Sequence, residues 1–173
     1  PGRPWDGPRP APNLETLFKA GVQVMKDIYA ALSGVLANPL LDAAVSKALD
    51  ALLAITGALD AATRALLLAG LQQVLKVLVA TALVGHALKS ERDEWLFIAF
   101  CFAAGNALGM LRDDLVKPAP DFSAIDGVDY REWLGSALDP SGVPGWASRQ
   151  SPFAEALYDL AFSRQHTLAA GIA

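Results

Sequence analysis

The sequence predicts an all-α fold, a helical bundle of five or six helices with a Pro-rich N-terminal tail. Three observations carry this. Apolar residues recur every three or four positions over most of the chain. Residues suited to helix N-caps stand at the starts of those runs. Strict alternation of the strand kind occurs nowhere.

The elements come in this order. Residues 1–12 hold five Pro and two Gly, which favours extended chain over helix, so 1–13 reads as a tail or linker. Asn13 can cap a helix running to about Ala37. Its stripe is Leu14, Phe18, Val22, Met25, Tyr29, Leu32 and Leu36, with Gly34 weakening the last turn. Asn38 at the N-cap and Pro39 at the first helical position start a second helix, with Leu41, Val45, Leu49, Leu52 and Leu53 in its stripe. Gly57 ends it. Asp60 opens a run to about Lys89, and between Arg64 and Lys89 its only charge is Lys76. A helix apolar nearly all round belongs in a core or against lipid. Ser90 and Asp93 form a capping box before the next helix, in which Trp95 to Leu111 are 17 uncharged residues, about 26 Å of helix.

After Lys117 the texture changes. "KPAPDF" breaks the helix. Asp129 caps "YREWLGSAL", with Glu132 placed for a second capping box. "DPSGVPG" is a loop, and Ser151 with Pro152 opens a last helix through about Phe162. The domain reading is therefore 1–13 tail, 14–117 apolar helical bundle, and 118–173 a loop plus short capped helices packed on the bundle.

Composition narrows the function. The hydrophobic share is 53%, the mean hydropathy +0.33, and charged residues are 18%, against about 25% in an ordinary globular chain. Such a chain buries apolar surface in itself, a partner or a membrane. Buried core helices account for 65–88 and 95–111, and an interfacial pair dipping into one leaflet stays open beside them. A true span is disfavoured by Lys76, His86 and the Gln72–Gln73 pair in the first, and by the shortness of the second with its Gly105, Asn106 and Gly109. A net charge of −4 without a basic cluster argues against nucleic acid as a partner. The single Cys101 excludes an internal disulfide framework and fits a reducing, cytoplasmic location, with a membrane surface as a peripheral partner. Pro1 and the apolar "TLAAGIA" end suggest a processed or cut chain.

No catalytic, phosphate-binding or metal-ligand spacing occurs, so no catalytic, cofactor-binding or metal residue is assigned. His86 has Ala82 and Ser90 at four residues either side and reads as a satisfied core or interface histidine. His166 in "SRQHT" reads as a loop residue. Cys101 among aromatic neighbours should be inert. Asp113–Asp114 and Asp93–Glu94 read as solvated helix ends, Asp93 also as a cap. Trp95, Tyr130, Trp133, Trp146 and Tyr158 either pack the core or line a pocket for an apolar ligand.

One region says more. "DEWLFIAFCFAAGNALGMLRDDL", then "FSAIDGVDYREWLGSAL", then "SPFAEALYDLAFS" resembles a stretch of bacterial FAD-dependent oxidoreductases. These are the flavin amine oxidase and phytoene desaturase-like enzymes, including hydroxysqualene dehydroxylase-type members. Ile125, Asp126, Asp129, Arg131, Glu132, Trp133 and Leu134 carry the first motif. Ser151, Pro152, Ala156, Leu157, Tyr158, Asp159, Leu160 and Phe162 carry the second, and "LAAGIA" is similar to the Ala-Ala-Gly that comes after it in those enzymes. The resemblance covers about 91–173.

It implies a helical substrate-side or cap portion of a flavin enzyme acting on an apolar or amine substrate. That family's glycine-bearing dinucleotide turn and its C-terminal flavin-contacting segment are missing. FAD would therefore belong to the complete enzyme, on a flavin-binding chain or the remainder of the same polypeptide. Trp95, Tyr130, Trp133 and Tyr158 are then the candidate substrate- or partner-facing residues. The rival expectations are a non-catalytic helical interaction or lipid-binding module, and a small ligand carrier with an aromatic pocket.

Overall fold

The structure, a computed structural model, describes residues 13–123 and 125–159. The Pro-rich tail through Pro12, His166, Leu160, Phe162 and the final "LAAGIA" lie outside the described residues. The described residues form helices joined by turns and loops, with no strand among them: α1 Leu14–Leu36, α2 Pro39–Leu53, α3 Ala61–Val79 continuing into a π-helical turn Ala80–Val84, α4 Glu91–Arg112, α5 Tyr130–Leu138 and α6 at 152–159.

Each start has a local cause. Asn13, Asn38 and Asp60 accept backbone N–H bonds from Glu15, Leu41 and Thr63. Ser90 and Asp93 form the expected capping box. Asp129 accepts from the N–H groups of Arg131 and Glu132, whereas the Glu132 carboxylate faces Arg149 at 3.6 Å. Ser151 Oγ accepts from the Ala154 N–H and starts α6. The "DPSGVPG" loop contains a 3₁₀ turn, Asp139–Ser141, and a second lies at Gly145–Ala147.

α4 is the centre. It packs on α1, α3, α5 and the Gly145–Ala147 turn. Phe97, Cys101, Ala104 and Leu108 of α4 meet the stripe Phe18, Val22, Met25, Tyr29, Leu32 and Leu36 of α1 in one continuous core. Leu41, Val45, Leu49 and Leu52 bring in α2. Tyr29 is the polar member of the α1 stripe. Its ring tilts against Phe100 at 5.6 Å, and its hydroxyl donates to Asp42 at 2.7 Å, so the phenol meets its partner at the rim of the core. Burial, then that carboxylate, pushes its pKa well up.

α3 departs from the sequence expectation twice. The helical run ends at Val84 instead of near Lys89, because the π-helical turn brings the Gly85 N–H to the Ala80 carbonyl and His86 then takes a left-handed φ of 49°. His86 is exposed at that turn and is not a core histidine. Nor is α3 deeply buried. Leu71, Leu75, Leu78 and Val79 face the core, while Leu66, Val77 and Val84 are open to solvent. Two helical stretches are long and apolar enough to cross a membrane, Ala61–Val84 and Glu91–Arg112, with mean hydropathy 1.8 and 1.5. Their most apolar windows are 28% and 56% buried, so α4 reads as a core helix and α3 does not.

α5 lies unusually close to α4. A Cβ at Gly105 would stand 2.6 Å from Leu134 Cδ1, and one at Gly109 would overlap the six-membered ring of Trp133. These glycines, one turn apart, form the bed on which α5 rests. Gly109→Ala should therefore destabilise the fold by about 1–3 kcal/mol through overpacking, despite the helix-propensity gain. Gly21→Ala, where an added Cβ meets nothing within 4 Å, should stabilise it by up to about 1 kcal/mol. Thermal or urea denaturation of the two variants checks the opposite signs.

Candidate functional site

The site is organised around Trp133. Its ring is 7% exposed, lies on the α4 backbone at Gly109, and stacks on Tyr130 at 5.9 Å and 28°. Its indole N–H donates to Asp113 Oδ2 at 2.5 Å. Asp113 is also held by Arg112, whose Nε and Nη2 donate to its two oxygens at 2.9 and 2.8 Å. The Arg112 hydrogen bonds, then the indole N–H, hold the Asp113 pKa below the usual carboxylate value. Asp114, at a φ of 55°, pairs with Lys117 at 2.9 Å and with Arg64 of α3, which lower its pKa in turn. These two carboxylates read as solvated ends in the sequence. The structure corrects that: one clamps α5, the other ties the end of α4 to α3.

Tyr130 closes the arrangement. Its hydroxyl donates to Asn106 Oδ1 at 2.9 Å, and Asn106 Nδ2 donates back along α4 to the Phe102 carbonyl at 2.8 Å. Burial raises the Tyr130 pKa, offset in part by Asn106. Around this pair the surface is concave. One recess of about 290 Å³ lies between α1 and α4, lined by Leu17, Phe18, Val22, Phe102, Asn106 and Met110 among others. A second of about 290 Å³ is lined by Leu14, Asn106, Met110, Leu115, Phe122, Ile125, Val128, Tyr130 and Trp133. The two adjoin at Asn106 and Met110, and together they are referred to as the trough. Leu17, Val24, Phe122 and Val128 stand exposed along it. Its polar groups, Asn106 and the Tyr130 hydroxyl, are already hydrogen-bonded, to each other and to the Phe102 carbonyl.

Of the four candidate aromatics, the structure brings Tyr130 and Trp133 together in this trough. Trp95 is elsewhere, about 22 Å from Met110 along α4 at 1.5 Å per residue. There it meets Phe153 of α6 edge-on at 5.9 Å and is 43% exposed. Tyr158 of α6 lies under the Arg131 guanidinium, 4.3 Å from its carbon to the ring centroid. That contact joins the "DYREWL" and "ALYD" segments in space. Trp146 tilts against Phe97 at 5.7 Å, and with His86 and Glu94 lines a separate recess. Phe122, Val128, Leu17 and Met110 do not stand out in the sequence. Their signal is only that apolar residues interrupt polar loop or helix positions.

The chemistry on offer is apolar contact. Cys101 is fully buried and its thiol pKa is pushed well up by desolvation. Among the described residues no group of three or more His, Cys, Asp or Glu is placed to hold a metal ion. FAD does not fit the trough: a pyrophosphate needs backbone N–H groups at a Gly-rich turn or clustered cations, and the trough offers Asn106 and Tyr130 amid apolar side chains. Compared with protein-family profiles, curated proteins and solved structures, the chain matches none.

The lowered carboxylates set an acid-side prediction. Asp113 and Asp114 bind protons less readily folded than unfolded. Their contribution to stability is therefore full above the unfolded value, about 3.9, and is lost as pH falls through the lowered folded values. The melting temperature should be insensitive to these groups above about pH 5 and should drop below about pH 4. Asp113→Asn should flatten that drop, as read by thermal scans across the pH range.

Proposed function

We propose that this chain is the substrate-side helical part of a flavin-dependent oxidoreductase that acts on an apolar or amine substrate. The observation that carries the reading is the trough. Ile125 and Trp133, which belong to the motif resembling those enzymes, line it beside Tyr130. Arg131 and Tyr158, from the two resembling motifs, touch each other. A concave apolar wall with a few aromatic rings and one self-satisfied polar pair suits an apolar substrate, and excludes water from it. When bound, the flavin supplies the redox chemistry; this chain's own residues bind and orient. On this reading the flavin is carried by another chain or by the remainder of the same polypeptide.

A second reading has its own observation. The uncovered apolar face of α3 favours a helical interaction or lipid-binding module without catalysis. Native mass spectrometry with a visible absorption spectrum of the protein drawn from its own cells separates the two. The first reading expects flavin absorption bands and a flavin-bearing polypeptide that contains or accompanies this chain. A single colourless species at 18.2 kDa would sink it.

A further inference from the structure

The trough and the start of α1 lie together. Leu14, the first residue of α1, lines the trough with Phe122, Ile125, Val128, Tyr130 and Trp133. Residues 1–12 therefore join the bundle, through Asn13, at the edge of the trough. Their sequence, "PGRPWDGPRPAP", suits what the trough offers. No charged side chain lines either recess, and the polar pair there is already hydrogen-bonded. An ordinary peptide laid in such a place would strand its backbone N–H groups. Five of these twelve residues are Pro, which has no N–H to strand. Pro-rich segments are extended before they bind, and they dock in aromatic-lined grooves. Charge agrees. The loop that carries Phe122, Ile125 and Val128 has three exposed carboxylates, Asp121, Asp126 and Asp129, and no Lys or Arg from 118 to 129. Asp129 faces Arg131 at 3.6 Å, while Asp126 has no ion pair among the described residues. Residues 1–12 bring Arg3 and Arg9 against the single Asp6.

We propose that residues 1–12 are the trough's own occupant, a strap laid along it with Trp5 as the apolar anchor and the two Arg toward the acidic loop. Trp5 is the one large apolar side chain of the segment. The reach is sufficient. From Asn13 to Trp5 is eight residues, roughly 25 Å of polyproline-like chain at about 3.1 Å each. From Met110 to Phe102, on the α4 wall of the trough, is about 12 Å at 1.5 Å per residue. Tethered at the edge, the segment acts at an effective concentration on the order of millimolar, so a dilute apolar solute has to displace it. The placement does not rest on the flavin reading. Where both hold, substrate enters by displacing the strap.

Methionine-methyl NMR of the full chain, with binding of the neutral dye N-phenyl-1-naphthylamine, tests it. The chain has two Met. Met110 lines both recesses and reports on the trough, while Met25 is fully buried in the core and serves as the control. Trp5→Ala, and Arg3→Glu combined with Arg9→Glu, should each move the Met110 methyl resonance and leave that of Met25 in place. Each should also tighten dye binding about fivefold or more, because the tethered competitor is weakened. A Met110 resonance indifferent to both changes overturns the proposal, whatever the dye does. A response that is lost on dilution overturns it too, and makes the occupant the same segment of another copy. Neither readout involves flavin, so failure here leaves the flavin reading standing, and failure of that reading leaves the strap.

Discussion

The seat of Trp133 is the constraint on which the C-terminal part of the fold depends. Its ring can approach α4 only because Gly109 has no side chain, and Leu134 and Leu138 use Gly105 in the same way. The indole N–H would be an unsatisfied donor in that contact without Asp113. Packing and hydrogen bonding therefore select one position for α5. With α5 placed, Tyr130 reaches Asn106, and the loop residues Phe122 and Ile125 complete the trough wall. Arg131, on the first turn of α5, then meets Tyr158 and helps hold α6.

The protein is unevenly apolar. α4 resolves its hydropathy by burial on several sides, against α1, α3 and α5. α3 does not. Arg64 ties its start to Asp114, its Leu71–Leu75–Leu78 side enters the core, and the opposite side is left uncovered. Two apolar surfaces thus remain, the trough and the exposed side of α3. They differ in kind. The trough is concave, lined in part by aromatics and holds a polar pair, whereas the exposed side of α3 is a helix face beside a shallow recess against α2.

Much of the fold was legible in the sequence. The α1 stripe from Phe18 to Leu36 and the α2 stripe from Leu41 to Leu52 are buried as the three-and-four spacing predicts, and the caps at Asn13, Asn38, Asp60 and Ser90 form. Local rules suffice there because periodicity and capping are local. The errors lie where partners are distant in sequence. Asp113 and Asp114 looked solvated because Trp133 and Arg64, which meet them, are 20 and 50 residues away. His86 read as a core or interface histidine because nothing in "ALVGHALK" announces a π-helical turn. Of the site, Tyr130 and Trp133 were legible as aromatics in a distinctive segment. That Trp95 belongs to another end of α4 was not, since a list of aromatics carries no distances.

The most direct measurement is a double-mutant cycle on Asp113 and Trp133, with stabilities of wild type, Asp113→Ala, Trp133→Phe and the double variant from denaturant unfolding. If the indole–carboxylate bond clamps α5 to α4, the two substitutions are coupled by at least about 1 kcal/mol, because removing either partner forfeits the same interaction. Effects that add to within about 0.3–0.5 kcal/mol would contradict the account, and would leave α5 held by apolar packing alone.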